Sequence, residues 1–414
     1  MYEKITLPNG VRIAYEHIDH VRSVSVGIFV GVGSRFESAS ENGAAHYIEH
    51  MLFKGTQSRS ASRLAFEMDA IGGQINACTT RDSTCFYARV LDSHLDRALD
   101  ILCDMFFCSR FDEADVNSEL GVILEEMDMY NDAPEDVVVE RLLARCFPGA
   151  LGRAIIGTEK SLSGLDSAAL RGFKAREYTP DRIVVALCGS FDGKAIDSIA
   201  QRFSAMPVGS AKPPKKCAYK PAIYTKKKAT EQNQICLGFE GTSVSDEGRF
   251  ASQLMSTVLG GGMSSRLFQT VRERNGLCYS IYSFGSSFAE TGIFGVATAL
   301  DRKNDKRALA LIRDELDKMR QDGVTEEELS RAREQAKSGI VIGLESTSAR
   351  MNRLGYGELM LGYSQDTDDV IARYDAVTRE DVLAAAQQLL REDTLSFSAV
   401  GRLSPTEEYL DILK

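Results

Sequence analysis

Two apolar segments of similar pattern, residues 183–189 and 395–401, stand roughly 210 residues apart, and this recurrence limits what the chain can fold into. A second pair recurs at a similar offset: Gly33-Ser34-Arg35-Phe36-Glu37 and Gly241-Thr242-Ser243-Val244-Ser245. The order of elements carries the repeat more than residue identity does. A duplicated order points to two similar domains, which suits a chain of 414 residues. The clearest break in composition is residues 206–216, rich in Pro, Gly and Lys, which reads as a linker. The division expected is a first domain over 1–210, a linker over 211–223 and a second domain over 224–414.

The histidines separate the two halves. There are five, and none follows His94, so the second half cannot build a histidine-based metal site. Two of them sit in Gly43-Ala44-Ala45-His46-Tyr47-Ile48-Glu49-His50-Met51-Leu52-Phe53-Lys54-Gly55-Thr56. This stretch reads as a helix, with Ser40 suited to cap its start and Gly55 suited to follow its end. Four residues apart on a helix, His46 and His50 project from one face. Two neutral imidazoles there are half of a tetrahedral zinc site. Glu49 lies about 100° around the helix from His50, close enough to reach a zinc-activated water without being a ligand.

Such a site needs a third protein ligand. His17 and His20 fall in a turn and His94 on another helix. A carboxylate from the acidic helical stretch 113–130, which carries Glu119, Glu125 and Glu126, suits the site better. Glu119 and Glu126 share a face and Glu125 points elsewhere. Between the two helical stretches, residues 74–80 and 83–90 read as strands joined by a polar turn. This is either an ordinary hairpin or a strand to which an extended peptide adds.

Composition narrows the function classes. A net charge of −10 argues against nucleic-acid binding and suits basic peptides. Nine cysteines, an odd number with no Cys-x-x-Cys, suggest neither a disulfide framework nor a cysteine-zinc ribbon, and point to a reducing, cytoplasmic setting. The longest apolar run, residues 24–32, is too short to span a bilayer. The start of the chain lacks the pattern of a signal peptide. In the second half, Gly260-Gly261-Gly262 precedes a helix but lacks the Gly-Lys-Ser/Thr of a phosphate loop. Arg272 and Tyr279 beyond it offer a cation and a phenol that could hold a peptide carbonyl or serve in structure alone.

Together these stretches resemble the peptidase family of pitrilysin, insulysin and the mitochondrial processing peptidase, whose zinc motif is His-x-x-Glu-His. The likeness runs through the whole chain, and the half-length chain resembles the short-chain branch. It implies an α+β fold of two homologous α/β-sandwich domains, each a sheet covered by helices, together forming half of a clamshell. It implies one zinc ion per chain held by His46, His50 and Glu126, with Glu49 as general base and Glu119 supporting the site. Gly72-Gly73-Gln74-Ile75-Asn76-Ala77 is similar to the segment leading into a substrate-pairing strand, so Asn76 and Ala77 are implied to bind substrate. Arg272 and Tyr279 match an Arg/Tyr pair that holds substrate near the zinc of the other protomer. Asp82 departs from the Glu common in relatives. The activity implied is a zinc endopeptidase, cleaving unstructured peptides inside a homodimer. The alternative is a non-catalytic peptide-binding or scaffold subunit working with a different chain.

Overall fold

The structure, a computed structural model, describes residues 2–210 and 212–414. The first half runs β1 (Glu3–Thr6), β2 (Arg12–His17), β3 (Ser23–Val30), α1 (Ala44–Leu52), α2 (Ala61–Ala70), β4 (Gln74–Thr79), β5 (Thr84–Leu91), α3 (Leu95–Cys108), α4 (Glu113–Asp132), α5 (Pro134–Cys146), α6 (Glu159–Leu162), α7 (Ser167–Glu177), β6 (Ile183–Gly189) and α8 (Gly193–Ser204). The second runs β7 (Ile223–Lys227), β8 (Asn233–Gly241), α9 (Arg249–Gly260), β9 (Cys278–Ser287), β10 (Gly292–Leu300), α10 (Asp305–Asp322), α11 (Glu326–Gly343), α12 (Thr347–Leu361), α13 (Thr367–Ala376), α14 (Arg379–Leu389), β11 (Ser396–Gly401) and α15 (Thr406–Leu413).

The chain forms two compact units. One contains residues 1–126, 153–215 and 341–366; the other contains 127–152, 216–340 and 367–414. Each is built on one sheet, with strand orders β1-β2-β6-β3-β5-β4 and β7-β11-β8-β10-β9. Apart from the extra β1, the orders correspond strand for strand, and the parallel pairs β2–β6 and β7–β11 occupy matching places. The repeat read from the sequence is therefore a repeat of topology.

In the first unit β3 is central and buried at every position after Ser23. Neighbouring side chains serve opposite faces. On β5, Cys85 joins a cluster with Met351 and Leu354 of α12, while Phe86 stacks edge-on with Phe106 of α3. Contact with α12 is close because Gly355 has no side chain, and a Cβ there would come within 2.2 Å of the Phe29 ring. In the second unit Cys236 and Val400 pack with Leu142 of α5, and Leu237 and Ala399 face a larger cluster with α9 and α10. Gly238 admits Leu142 in the same way. Each sheet is thus covered on one face by a helix from the opposite half of the sequence.

β4 closes one edge of the first sheet. It alternates exposed and half-buried residues, in contrast to β3. Its turn into β5 is pinned from outside. The Ser34 and Arg35 N–H groups donate to the carbonyls of Thr80 and Arg81. Arg35 pairs with Asp82 at 2.7 Å, both side chains being buried. Ser83 and Thr80 meet the Tyr356 hydroxyl at 3.2 and 3.4 Å. A buried ion pair fixes geometry more surely than it adds stability, and here it fixes the end of the edge strand.

Candidate metal and peptide site

α1 is short, and its sequence leaves the start uncapped by a hydroxyl. Ser40 is not the cap: Gly43 holds that position with φ +97°, and the Ser40 hydroxyl bonds that of Ser38 instead. The exposed amides are served by Glu37, whose carboxylate accepts from the N–H groups of Gly43 and Ala45 at 2.8 Å and from Asn42 Nδ2 at 2.9 Å. A carboxylate suits the positive end of a helix. Burial nevertheless pushes the Glu37 carboxyl up to about 7 against those donors. Ala44, Ala45, Tyr47, Ile48, Met51 and Leu52 are buried, which turns His46, Glu49 and His50 to the remaining face.

On that face the imidazoles of His46 and His50 lie with ring centres 4.6 Å apart. Glu126 of α4, and not its exposed neighbour Glu125, presents a carboxylate to both. Its Oε2 is 3.7 Å from His46 Nε2 and 3.6 Å from His50 Nε2. Those separations are long for hydrogen bonds. They are close to the roughly 3.4 Å that separates two ligand atoms each bound about 2.1 Å from one tetrahedral ion. One atom from each residue lies within 4.8 Å of the others, and these three form the one such group among the described residues. Burial holds the His46 imidazole down at about 4, with His50 adding to the effect, so it is a neutral donor at physiological pH. The donor set fits zinc in charge, hardness and spacing.

The surrounding residues differ from one histidine to the other. His50 Nδ1 lies 2.9 Å from Glu119 Oε1, whereas His46 Nδ1 is buried with no hydrogen-bond partner among the described residues. Glu49 reaches the end of the edge strand, where Oε2 accepts the Thr79 hydroxyl. Burial raises the Glu49 carboxyl, and the Thr79 bond works in the opposite direction. The sequence reading did not single out Thr79. Its one clue was its place three residues after Asn76 in a strand beside the motif helix.

Asn76 and Ala77 lie on β4. The Ala77 N–H is taken by its neighbour's side chain, Asn76 Oδ1, at 2.8 Å, and not by β5. That amide therefore lies on the free side of the strand, where another strand would pair. Arg272 and Tyr279 belong to the second unit and come together there. The Arg272 guanidinium lies 4.8 Å from the centre of the Tyr279 ring and 4.5 Å from that of Phe268. Arg272 sits in a π-helical turn, Phe268–Glu273, and Tyr279 is 76% exposed at the start of β9.

Known proteins share both the sequence and the fold. Residues 12–159 match the profile described as Insulinase (Peptidase family M16). A protein of Bacillus subtilis named uncharacterized zinc protease YmxG is 41% identical over 98% of this chain and 99% of its own length. This chain belongs to the M16 peptidase family. The M16 assignment continues along the chain, where residues 164–336 match the profile described as Peptidase M16 inactive domain. That stretch contains no histidine. A Streptomyces coelicolor M16 relative, uncharacterized zinc protease SCO5738, is 41% identical over 97% of this chain and 89% of its own. Among solved structures, a Pseudomonas fluorescens protein described as a peptidase M16 inactive domain has a TM-score of 0.91 at 21% identity, covering 98% of both chains. A Helicobacter pylori protease has a TM-score of 0.88 at 20% identity, covering 97% of this chain and 99% of its own. These two share the fold. Among the described residues no helix is long and apolar enough to cross a membrane.

Proposed function

We propose that this chain is a zinc-dependent endopeptidase acting on unstructured peptides. The observation that carries the reading is the convergence of His46 Nε2, His50 Nε2 and Glu126 Oε2 beside a carboxylate, Glu49, held at the end of an open strand edge. His46, His50 and Glu126 would hold the metal. Zinc bound there supplies Lewis acidity, polarising the scissile carbonyl and bringing the pKa of water to about 7.

The chain's own groups divide the remaining work. Glu49, held by Thr79 at its Oε2, would take the proton of the attacking water and pass it to the leaving amine. β4 receives the substrate as an added strand through outward backbone groups such as those of Ala77, so that affinity comes from the main chain. Arg272, stacked on Tyr279, and the Tyr279 hydroxyl hold the substrate carbonyl. Glu119 orients His50. The assembly proposed is a homodimer with one zinc ion per chain and basic peptides favoured by the acidic balance. The nine cysteines form no disulfide among the described residues, which supports a cytoplasmic setting.

The test is digestion of a mixed pool of unstructured peptides, read by mass spectrometry. Wild type should cleave, chelator should abolish cleavage and zinc should restore it, while Glu49→Gln keeps zinc and loses turnover. A zinc-loaded wild type that cleaves nothing would replace this reading with that of a peptide-binding subunit.

A further inference from the structure

The residues that continue the histidine helix, Phe53-Lys54-Gly55-Thr56, have no part in the chemistry above, yet the chain holds them on both sides. The N–H groups of Phe53 and Lys54 return to the carbonyls of His50 and Met51, each at 3.1 Å. Gly55 then turns the chain at φ +114°, a conformation that side chains avoid. A Cβ there would meet the Arg59 carbonyl oxygen at 3.1 Å. The Gly55 carbonyl accepts from Arg110 N–H at 3.2 Å, and Thr56 N–H donates to the Arg59 carbonyl at 2.7 Å. The Thr56 hydroxyl donates to Asp104 at 2.7 Å. The backbone on either side of Lys54 is therefore fixed.

The side chain presented by this fixed segment is a cation directed at one carboxylate. Lys54 Nζ donates to Glu119 Oε2, and the other oxygen of that buried carboxylate faces His50 Nδ1. We propose that Lys54 is a positioning residue for the metal site, a claim that rests on the zinc reading above. By holding Glu119, it keeps the His50 Nδ1–H directed at the carboxylate and leaves Nε2 directed at Glu126 and His46. The need falls on His50 because His46 Nδ1 has no partner: of the two imidazoles, only His50 has an outer anchor among the described residues. A carboxylate that can swing does not fix a tautomer. One held at both oxygens, by a lysine on one side and an imidazole on the other, does. Phe53-Lys54-Gly55-Thr56 thus belongs to the metal site, and its glycine sets the angle at which the lysine arrives.

The experiment is zinc affinity of the full-length chain by competition with a chromophoric chelator, with peptide turnover measured in parallel. Lys54→Met should weaken zinc binding roughly 10- to 100-fold, and Lys54→Arg should restore most of it. If Lys54→Met does not fold, as judged by melting of the zinc-free protein, Lys54→Gln carries the same test. Because Lys54 acts through Glu119, Lys54→Met/Glu119→Gln should bind zinc little worse than Glu119→Gln alone. Wild-type affinity in the folded Lys54 variant, or losses that simply add in the double variant, would overturn the proposal. Weakened zinc binding in a chain that turns over no peptide would support the positioning role and sink the peptidase reading. Turnover with unchanged zinc affinity would do the reverse.

Discussion

α1 and α9 occupy matching places in the two units, each following the strand at the corresponding position of its sheet and preceding the edge strand. Both bury an apolar face, Ala44, Ala45, Tyr47, Ile48, Met51 and Leu52 in one, and Phe250, Ala251, Leu254, Met255, Val258 and Leu259 in the other. Their outward faces differ. α1 turns His46, Glu49 and His50 outward, while α9 carries Ser252, Gln253 and Thr257 outside its buried set. The supports differ as well. The start of α1 rests on a buried carboxylate, Glu37, whereas the Gly248 N–H at the start of α9 donates to Asp246 at 2.8 Å in an exposed bond. The same topology thus hosts a donor set able to hold a metal in one unit and, among the described residues, none in the other. Chemistry here belongs to a few side chains placed on a fold, not to the fold.

The comparison is sharpened most by removing the acid that α9 lacks. Glu49→Gln should lower kcat by about 10²–10⁴ while zinc content, measured by atomic absorption, stays at the wild-type level. Substitutions of Ser252 or Gln253 on α9 should leave turnover unchanged; an equal loss there would erase the distinction between the two helices. The support of the edge strand comes next. Asp82→Asn leaves Arg35 buried without its full counter-charge and should cost about 3–5 kcal/mol, read as a lowered midpoint in urea. A change within error would mean that the turn between β4 and β5 is held by its backbone bonds alone. Thr79→Val, close in shape but without a hydroxyl, should reduce kcat about tenfold, the worth of one hydrogen bond to a charged group, with KM unchanged and Thr79→Ser restoring the rate. A rise in KM alone would assign Thr79 to substrate pairing and not to Glu49.

Much of this was legible in the sequence because it rests on local periodicity. His46 and His50 at a spacing of four required a helix to act together, and α1 places them so. The next helix, α2, is as local in origin: the Ser60 hydroxyl before it accepts from the Arg63 N–H. The acidic stretch offered Glu119, Glu125 and Glu126, and family likeness selected Glu126. The structure sends Glu126 to both imidazoles and Glu119 to the back of one. Contacts across long sequence separation left no such pattern. Nothing near Phe29 or Met351 announces that α12 covers β3, since apolar residues at helical spacing do not name the sheet they pack against. Glu37 was also hidden. It lies seven residues before α1 begins, and a loop carboxylate reads as a solvated charge until the chain folds back to bury it.

Glu37 makes the prediction most specific to the difference between α1 and α9. Its carboxyl is raised by burial to about 7, above the ordinary value of 4.5 that it regains on unfolding. Between those values the folded chain retains a proton that the unfolded chain has lost. Stability from this group is therefore fully present below about 4.5, declines as pH rises toward 7 and is level beyond. Glu37→Gln removes the titration while keeping the shape. The gap in melting temperature between the variant and wild type should move in the variant's favour from pH 5 to pH 8, then stop changing. Three donors and a helix start favour the ionised form, and burial opposes it, so the sign of that drift tells which prevails. A drift in the opposite direction would mean that the helix amides hold Glu37 charged throughout, as a fixed counter-charge to α1.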